Sequence, residues 1–135
     1  MRRTLLAGLL AITLVLLGMS SAAAAREKDE RAAGILTANG CLLTDSVSWS
    51  HLPPVYRIDT TLLQDGHPYI TGASIISYPQ LGQPALTSPQ VIETFEMTDV
   101  IFTHTYAVTF VLEDRHGQVL ASTTSPAETV SCDFA

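Results

Sequence analysis

Residues 99–121 read DVIFTHTYAVTFVLEDRHGQVLA. From His104 to Glu113 the residues alternate, with Tyr106, Val108, Phe110 and Leu112 in one set and Ala107, Thr109, Val111 and Glu113 in the other. Successive side chains of a strand point to opposite faces, so the bulky set predicts the core side. Asp114, Arg115, His116 and Gly117 then form a tight turn, and strand character resumes at Gln118. The segment reads as a β-hairpin of an all-β domain.

Working outward, short strand-like segments recur with turn signals between them. They are Ile35 to Leu43, broken at Asn39-Gly40, then Ser46 to Trp49, Val55 to Leu63, Tyr69 to Tyr78, Val91 to Met97, His104 to Glu113 and Gln118 to Thr124. Asp65-Gly66 between two such runs is a hairpin signal, and the three prolines between Pro79 and Pro89 mark a loop. No segment has a helical period, and there is no internal repeat. Seven short strands predict a two-sheet antiparallel β-sandwich.

The N-terminus has a different composition. Arg2 and Arg3 precede an apolar run from Leu5 to Leu17 and small residues from Ser20 to Ala25, the pattern of a cleavable secretory signal over residues 1–25. That run is shorter than the roughly 20 residues a spanning helix needs, so no membrane insertion is expected after cleavage. No cysteine follows the small residues, which excludes a lipidated new N-terminus and leaves general export as the expected route. The charged stretch Arg26 to Arg31, REKDER, reads as part of a disordered arm over residues 26–33, followed by a single domain over 34–135.

Charge narrows the partners. The chain carries a formal net charge of −6, and cleavage removes two of its arginines. Nucleic acid and anionic membrane surfaces are therefore disfavoured. Cys41 and Cys132 are an even pair in an exported chain, and a disulfide between them is expected. Closing so long a loop stabilises by roughly 4 to 5 kcal/mol on the chain-entropy account. No CxxC or Cys/His spacing supports a metal or redox pair instead.

Several residues together resemble a fibronectin type III domain. That family carries a Trp at the end of its second strand, a Tyr early in its third, and a Leu six residues before the Tyr that opens its sixth. The matching residues are Val47-Ser48-Trp49, Tyr56 in the run Val55 to Ile58, and Val100 ahead of Tyr106. The hairpin with Asp114 and Gly117 in its turn, followed by Val119 to Ser122, is similar as well. Asp45 departs from the pattern by standing where the alternation asks for an apolar residue, and Phe102 replaces a usual proline. An immunoglobulin-like sandwich stays open beside it. The resemblance implies structural roles for Trp49, as a core filler, and for Tyr106, as a tyrosine corner whose hydroxyl bonds backbone near Val100.

Chemical signatures are missing. Gly72-Ala73-Ser74 continues into Ile75-Ile76 where a nucleophile elbow requires glycine, and Glu93/Glu96 and Glu113/Asp114 have spacings that put their carboxyls on opposite sides of a strand, so they read as solvated charge. His51, His67, His104 and His116 lack metal-ligand spacing. No phosphate-cradling motif occurs, so no cofactor and no catalytic or metal residue is assigned, and the protein reads as a non-enzyme. His67 and Tyr69 can share a face beside the Asp65-Gly66 turn and are the candidate ligand-binding pair; Tyr78 is a further exposed candidate. The expected function is a secreted module that binds an extracellular or cell-surface protein or glycan. The alternative is a small secreted inhibitor that presents the rigid loop Pro79 to Pro89 to an extracellular enzyme.

Overall fold

A strand that buries one face must find a second sheet to cover it, and this chain does so with eight strands. The computed structural model describes residues 30–97 and 103–130. The strands are β1 (Ala32–Asn39), β2 (Leu42–Trp49), β3 (Arg57–Gln64), β4 (His67–Ile76), β5 (Gln90–Glu96), β6 (His104–Glu113), β7 (Val119–Thr124) and β8 (Glu128–Val130). One antiparallel sheet has the order β1-β2-β5; the other runs β4-β3-β6-β7, with β8 pairing β6 beside β7. The protein is an all-β sandwich of these two sheets.

The alternation on β6 sets the core as the sequence predicts: Tyr106, Val108, Phe110 and Leu112 are buried while Ala107, Thr109, Val111 and Glu113 are only partly covered. Leu43 and Val47 from β2, Ile58 and Leu62 from β3, and Leu36 from β1 join them. Trp49 is partly buried and packs against the edge of this cluster, whereas Tyr106 lies inside it. The Asp65-Gly66 turn joins β3 to β4 with φ of 50° and 81°, the two positive values that a two-residue hairpin loop of type I′ requires.

Two expectations need correction, and two further features refine the reading. The strand β8 is additional, because Ser125 interrupts the last edge: its hydroxyl accepts a hydrogen bond from Val108 N at 2.9 Å, in place of a ladder bond, before Pro126. The expected arm over residues 26–33 ends early, since β1 starts at Ala32, which is buried opposite Trp49. A 3-10 turn over Pro79–Leu81 lies within the proline-rich loop. Asp45 is fully buried on the core face of β2, so the polar residue of that alternation is an interior one. Val100, Phe102 and Cys132, and the proposed signal over residues 1–25, lie outside the described residues.

Candidate functional site

At one end of the second sheet, the start of the proline-rich loop and the β6–β7 turn stand on either side of a groove of about 220 Å³. Its lining includes Tyr56, Arg57, Tyr78, Pro79, Glu113 and Arg115. Cross-strand pairing assembles it, because Arg57 sits opposite Glu113 on one side and Ile76 on the other. Both walls are held by hydrogen bonds. Tyr78 N donates to Gln83 Oε1, Leu86 N donates to Val55 O, and the Ser77 hydroxyl donates to Pro84 O, which together pin the loop to the sheet. In the turn, Asp114 Oδ1 accepts from His116 N at 2.8 Å and Gln118 N at 2.9 Å.

The electrostatics follow from these contacts. Arg57 Nε donates to both carboxyl oxygens of Asp59 at 3.0 Å and lies 3.6 Å from Glu113 Oε2, so its guanidinium is held even more firmly protonated than usual, mainly by the bond to Asp59. Asp59 is itself held by the Ser74 hydroxyl. The two amide donors of the turn, Gln118 N foremost, keep the Asp114 carboxyl below its ordinary range. Arg115 and the hydroxyls of Tyr56 and Tyr78 make no hydrogen bond with another described residue.

The residues singled out as a ligand pair stand elsewhere. His67 and Tyr69 lie at the far end of β4, both exposed, and the register of β3 against β4 shifts between Leu62 and Leu63. Tyr69 is the extra residue of that bulge, so the simple alternation that would align it with His67 does not hold. Next to them Asp65 Oδ2 meets His104 Nδ1 at 2.7 Å, and Asp65 Oδ1 accepts from Thr105 N at 3.0 Å. These bonds, the Thr105 amide first, lower the Asp65 pKa. The Tyr106 hydroxyl accepts from Gln64 Nε2 at 3.0 Å; its expected partner near Val100 lies outside the described residues. Cys41 occupies the β1–β2 turn and is not a free cysteine. No group of three or more His, Cys, Asp or Glu that could hold a metal occurs among the described residues, and no helix there is long and apolar enough to cross a membrane.

Sequence reasoning missed a second polar cluster, half-buried between the two sheets. It treats Glu93 as solvated charge, yet Glu93 Oε1 accepts from Thr60 Oγ1 and from Ala73 N, both at 2.9 Å and both on the opposite sheet. Glu93 N in turn donates to Asp45 Oδ1 at 3.0 Å, while Asp45 Oδ2 is buried with no partner. Each captured amide sits at a register shift, in β5 beside Asp45 and in β4 beside Thr60. A bulge frees an N–H from the ladder, and here an acidic side chain takes it. Burial, the nearest consequence of this placement, pushes the Asp45 carboxyl up to about 6, with the Glu93 charge adding to it against the amide bond. The arrangement links the two sheets where β4 meets β5. The departures from apolar alternation at Asp45 on β2 and Thr60 on β3 were the available signal.

Compared with known proteins, the chain matches no family model, no curated protein and no solved structure.

Proposed function

We propose that this protein is a secreted, non-catalytic binding module that holds an extracellular or cell-surface protein or glycan through the groove between Tyr78 and Arg115. The observation that carries the reading is the groove itself: two tyrosines and two arginines, residue types enriched where binding energy concentrates, line a concavity whose walls are pinned by hydrogen bonds. Pinned walls reduce the ordering cost of binding. Secretion is supported by Arg2, Arg3, the apolar run and the small residues before Arg26. A Cys41–Cys132 disulfide belongs to the same reading and is supported by Cys41 not being free.

The strand order supports a fibronectin type III-like sandwich. Constant-type immunoglobulin domains place the fourth strand beside the fifth in the first sheet, whereas here β4 pairs β3 in the second.

Affinity capture with the oxidised chain Arg26 to Ala135 from culture fluid and cell surface tests the function, run beside Tyr78→Ala. Partners retained by the parent and lost by the variant support the groove; partners retained equally by both overturn it. One observation favours the inhibitor reading: Leu81, 70% exposed, is an apolar apex on the pinned 3-10 turn, as a loop inserted into an active site requires. Inhibition of an extracellular protease that is lost in Leu81→Asp would establish it.

A further inference from the structure

The polar cluster where β4 meets β5 is one hydrogen-bond donor short. Glu93 N–H goes to Asp45 Oδ1 and Ala73 N–H goes to Glu93 Oε1, while the single proton of the Thr60 hydroxyl serves Ala73 O and Glu93 Oε1, each at 2.9 Å. Asp45 Oδ2 is left with no donor although its residue is fully buried. A carboxyl in that position is far cheaper to bury neutral than ionised, and a proton of its own makes Asp45 a donor where the cluster lacks one.

Of the ionisable side chains on the described strands around it, only Glu93 stands next to Asp45. Opposite Asp45, β1 places Leu36, and β1 carries no ionisable residue. On β5, Glu96 is exposed and pairs with Leu42. From β3, Arg57 and Asp59 bind each other on the exposed side; on β4, His67 and Tyr69 stand exposed at the far end. On β6, His104 is held by Asp65, Tyr106 by Gln64, and Glu113 lies by Arg57. No cation therefore offsets an ionised Asp45, and its nearest charge is another carboxylate.

The fold makes this the weak line of the sandwich. Strands β4 and β5 are the outer strands of their sheets, tied to each other through the Glu93 side chain rather than by a ladder. Gly72 packs so closely there that an added Cβ would stand 2.1 Å from Thr60 Oγ1 and 2.4 Å from Glu93 Oε1. With every donor committed and so little space, water reaches an ionised Asp45 where the two strands part. We infer that the cluster is a proton-operated latch: with Asp45 protonated, Glu93 holds β5 to β4, and when the proton leaves to water, Glu93 releases Ala73 N–H and the two sheet edges separate locally. Burial sets the Asp45 carboxyl at about 6, so the latch closes in mild acid and loosens toward neutral pH.

Hydrogen exchange of the Ala73 amide, followed by NMR on the full chain at about pH 4.5 and about pH 7.5, tests the latch. A carboxyl that moves from about 6 when closed to the ordinary 3.8 when open makes opening more frequent by about ten- to a hundredfold over that range, and the Ala73 protection factor should fall by as much. Because local opening exposes little surface, that fall should persist unchanged in low urea, whereas the amide of Val108, bonded to the buried Ser125 hydroxyl, should lose protection as urea rises. In Asp45→Asn, Ala73 protection should be equal at both pH values. An Ala73 protection factor that does not change with pH, one that follows Val108 in urea, or the same pH dependence in Asp45→Asn would overturn the latch. The parent chain supplies a further check that needs no variant: the Asp45 carboxyl 13C resonance should titrate near 6, and a midpoint in the ordinary carboxylate range would overturn the proposal by itself.

Discussion

The sandwich is closed along its two sides by seams that share a geometric device and differ in chemistry. On one side β1 lies over β6 and β7, and a Cβ on Gly34 would stand 2.5 Å from the Phe110 ring and 3.3 Å from Ser125 N. On the other, β4 meets β5, and a Cβ on Gly72 would stand 2.1 Å from Thr60 Oγ1 and 2.4 Å from Glu93 Oε1. Each seam depends on a glycine because only a missing side chain lets the facing group come that close. The first is filled by an aromatic ring and is indifferent to pH. The second is filled by a carboxylate that reaches from one sheet to two donors of the other, backed by the buried Asp45. The difference teaches that an apolar seam costs nothing to desolvate, whereas a carboxylate seam gains direction and register at the expense of a penalty on the charge behind it.

Substitutions that attack each seam should separate the two. Gly72→Ala should have the largest effect, because the new methyl group both overpacks the seam and displaces Glu93 from Ala73 N and Thr60 Oγ1; we expect a loss of about 3 to 4 kcal/mol in urea unfolding at pH 7. A loss below that of Gly34→Ala would refute the importance of the Glu93 bridge. Gly34→Ala should cost about 1 to 3 kcal/mol by overpacking against a fully buried ring, with the pH dependence of stability left as in the parent.

Asp45 sharpens the comparison through pH. Its folded-state pKa of about 6 lies above the ordinary 3.8, so the native chain binds more protons than the unfolded one between those values. Its contribution is most favourable below about pH 4 and declines as pH rises through about 6, by roughly 1 to 3 kcal/mol in all. Asp45→Asn keeps an acceptor for Glu93 N and removes the charge. The variant should be more stable than the parent by about 1 to 2 kcal/mol at pH 7 and equal to it near pH 4, as read from denaturant midpoints at the two pH values. A variant weaker than the parent at pH 7 would mean that the buried charge is itself stabilising.

The smallest effects belong to the exposed turns. Asp65 and Asp114 accept backbone N–H groups much as Asp45 does, but in solvent, and their pKa values are lowered instead of raised. Their contributions are present above pH 3.8 and fade as pH falls through the lower folded-state values, the opposite sign and a lower window than for Asp45. Asp65→Asn and Asp114→Asn should lower the thermal midpoint slightly at pH 7 and leave it unchanged in strong acid. Thermal melts across pH 2 to 7 would expose an error in this sign.

Much of the architecture is legible in the residues because local rules and the global fold agree. The alternation of β6, the Asp65-Gly66 turn and the Asp114-to-Gly117 turn each specify a backbone shape within a few residues, and the structure keeps them. The site was less legible. Tyr78 and the turn at Arg115 are both visible as candidate loop features, yet nothing local says that they face each other across Arg57. His67 and Tyr69 looked aligned only because a one-residue bulge cannot be seen in an alternating pattern. Glu93 looked solvated because its partners, Thr60 and Ala73, come from a different sheet.

What the sequence alone determined is the kind of element, the core face of each strong strand and the places where the chain reverses, since these depend on two-residue periodicity and on backbone conformations open to a few residue types. The tertiary structure alone decided which strands share a sheet, where the register slips, that the half-buried Glu93 bridges the two sheets beside the buried Asp45, and that two arginines and two tyrosines converge on one groove. Those outcomes depend on how two sheets bury their faces against each other, a long-range free-energy balance that no local window of residues contains.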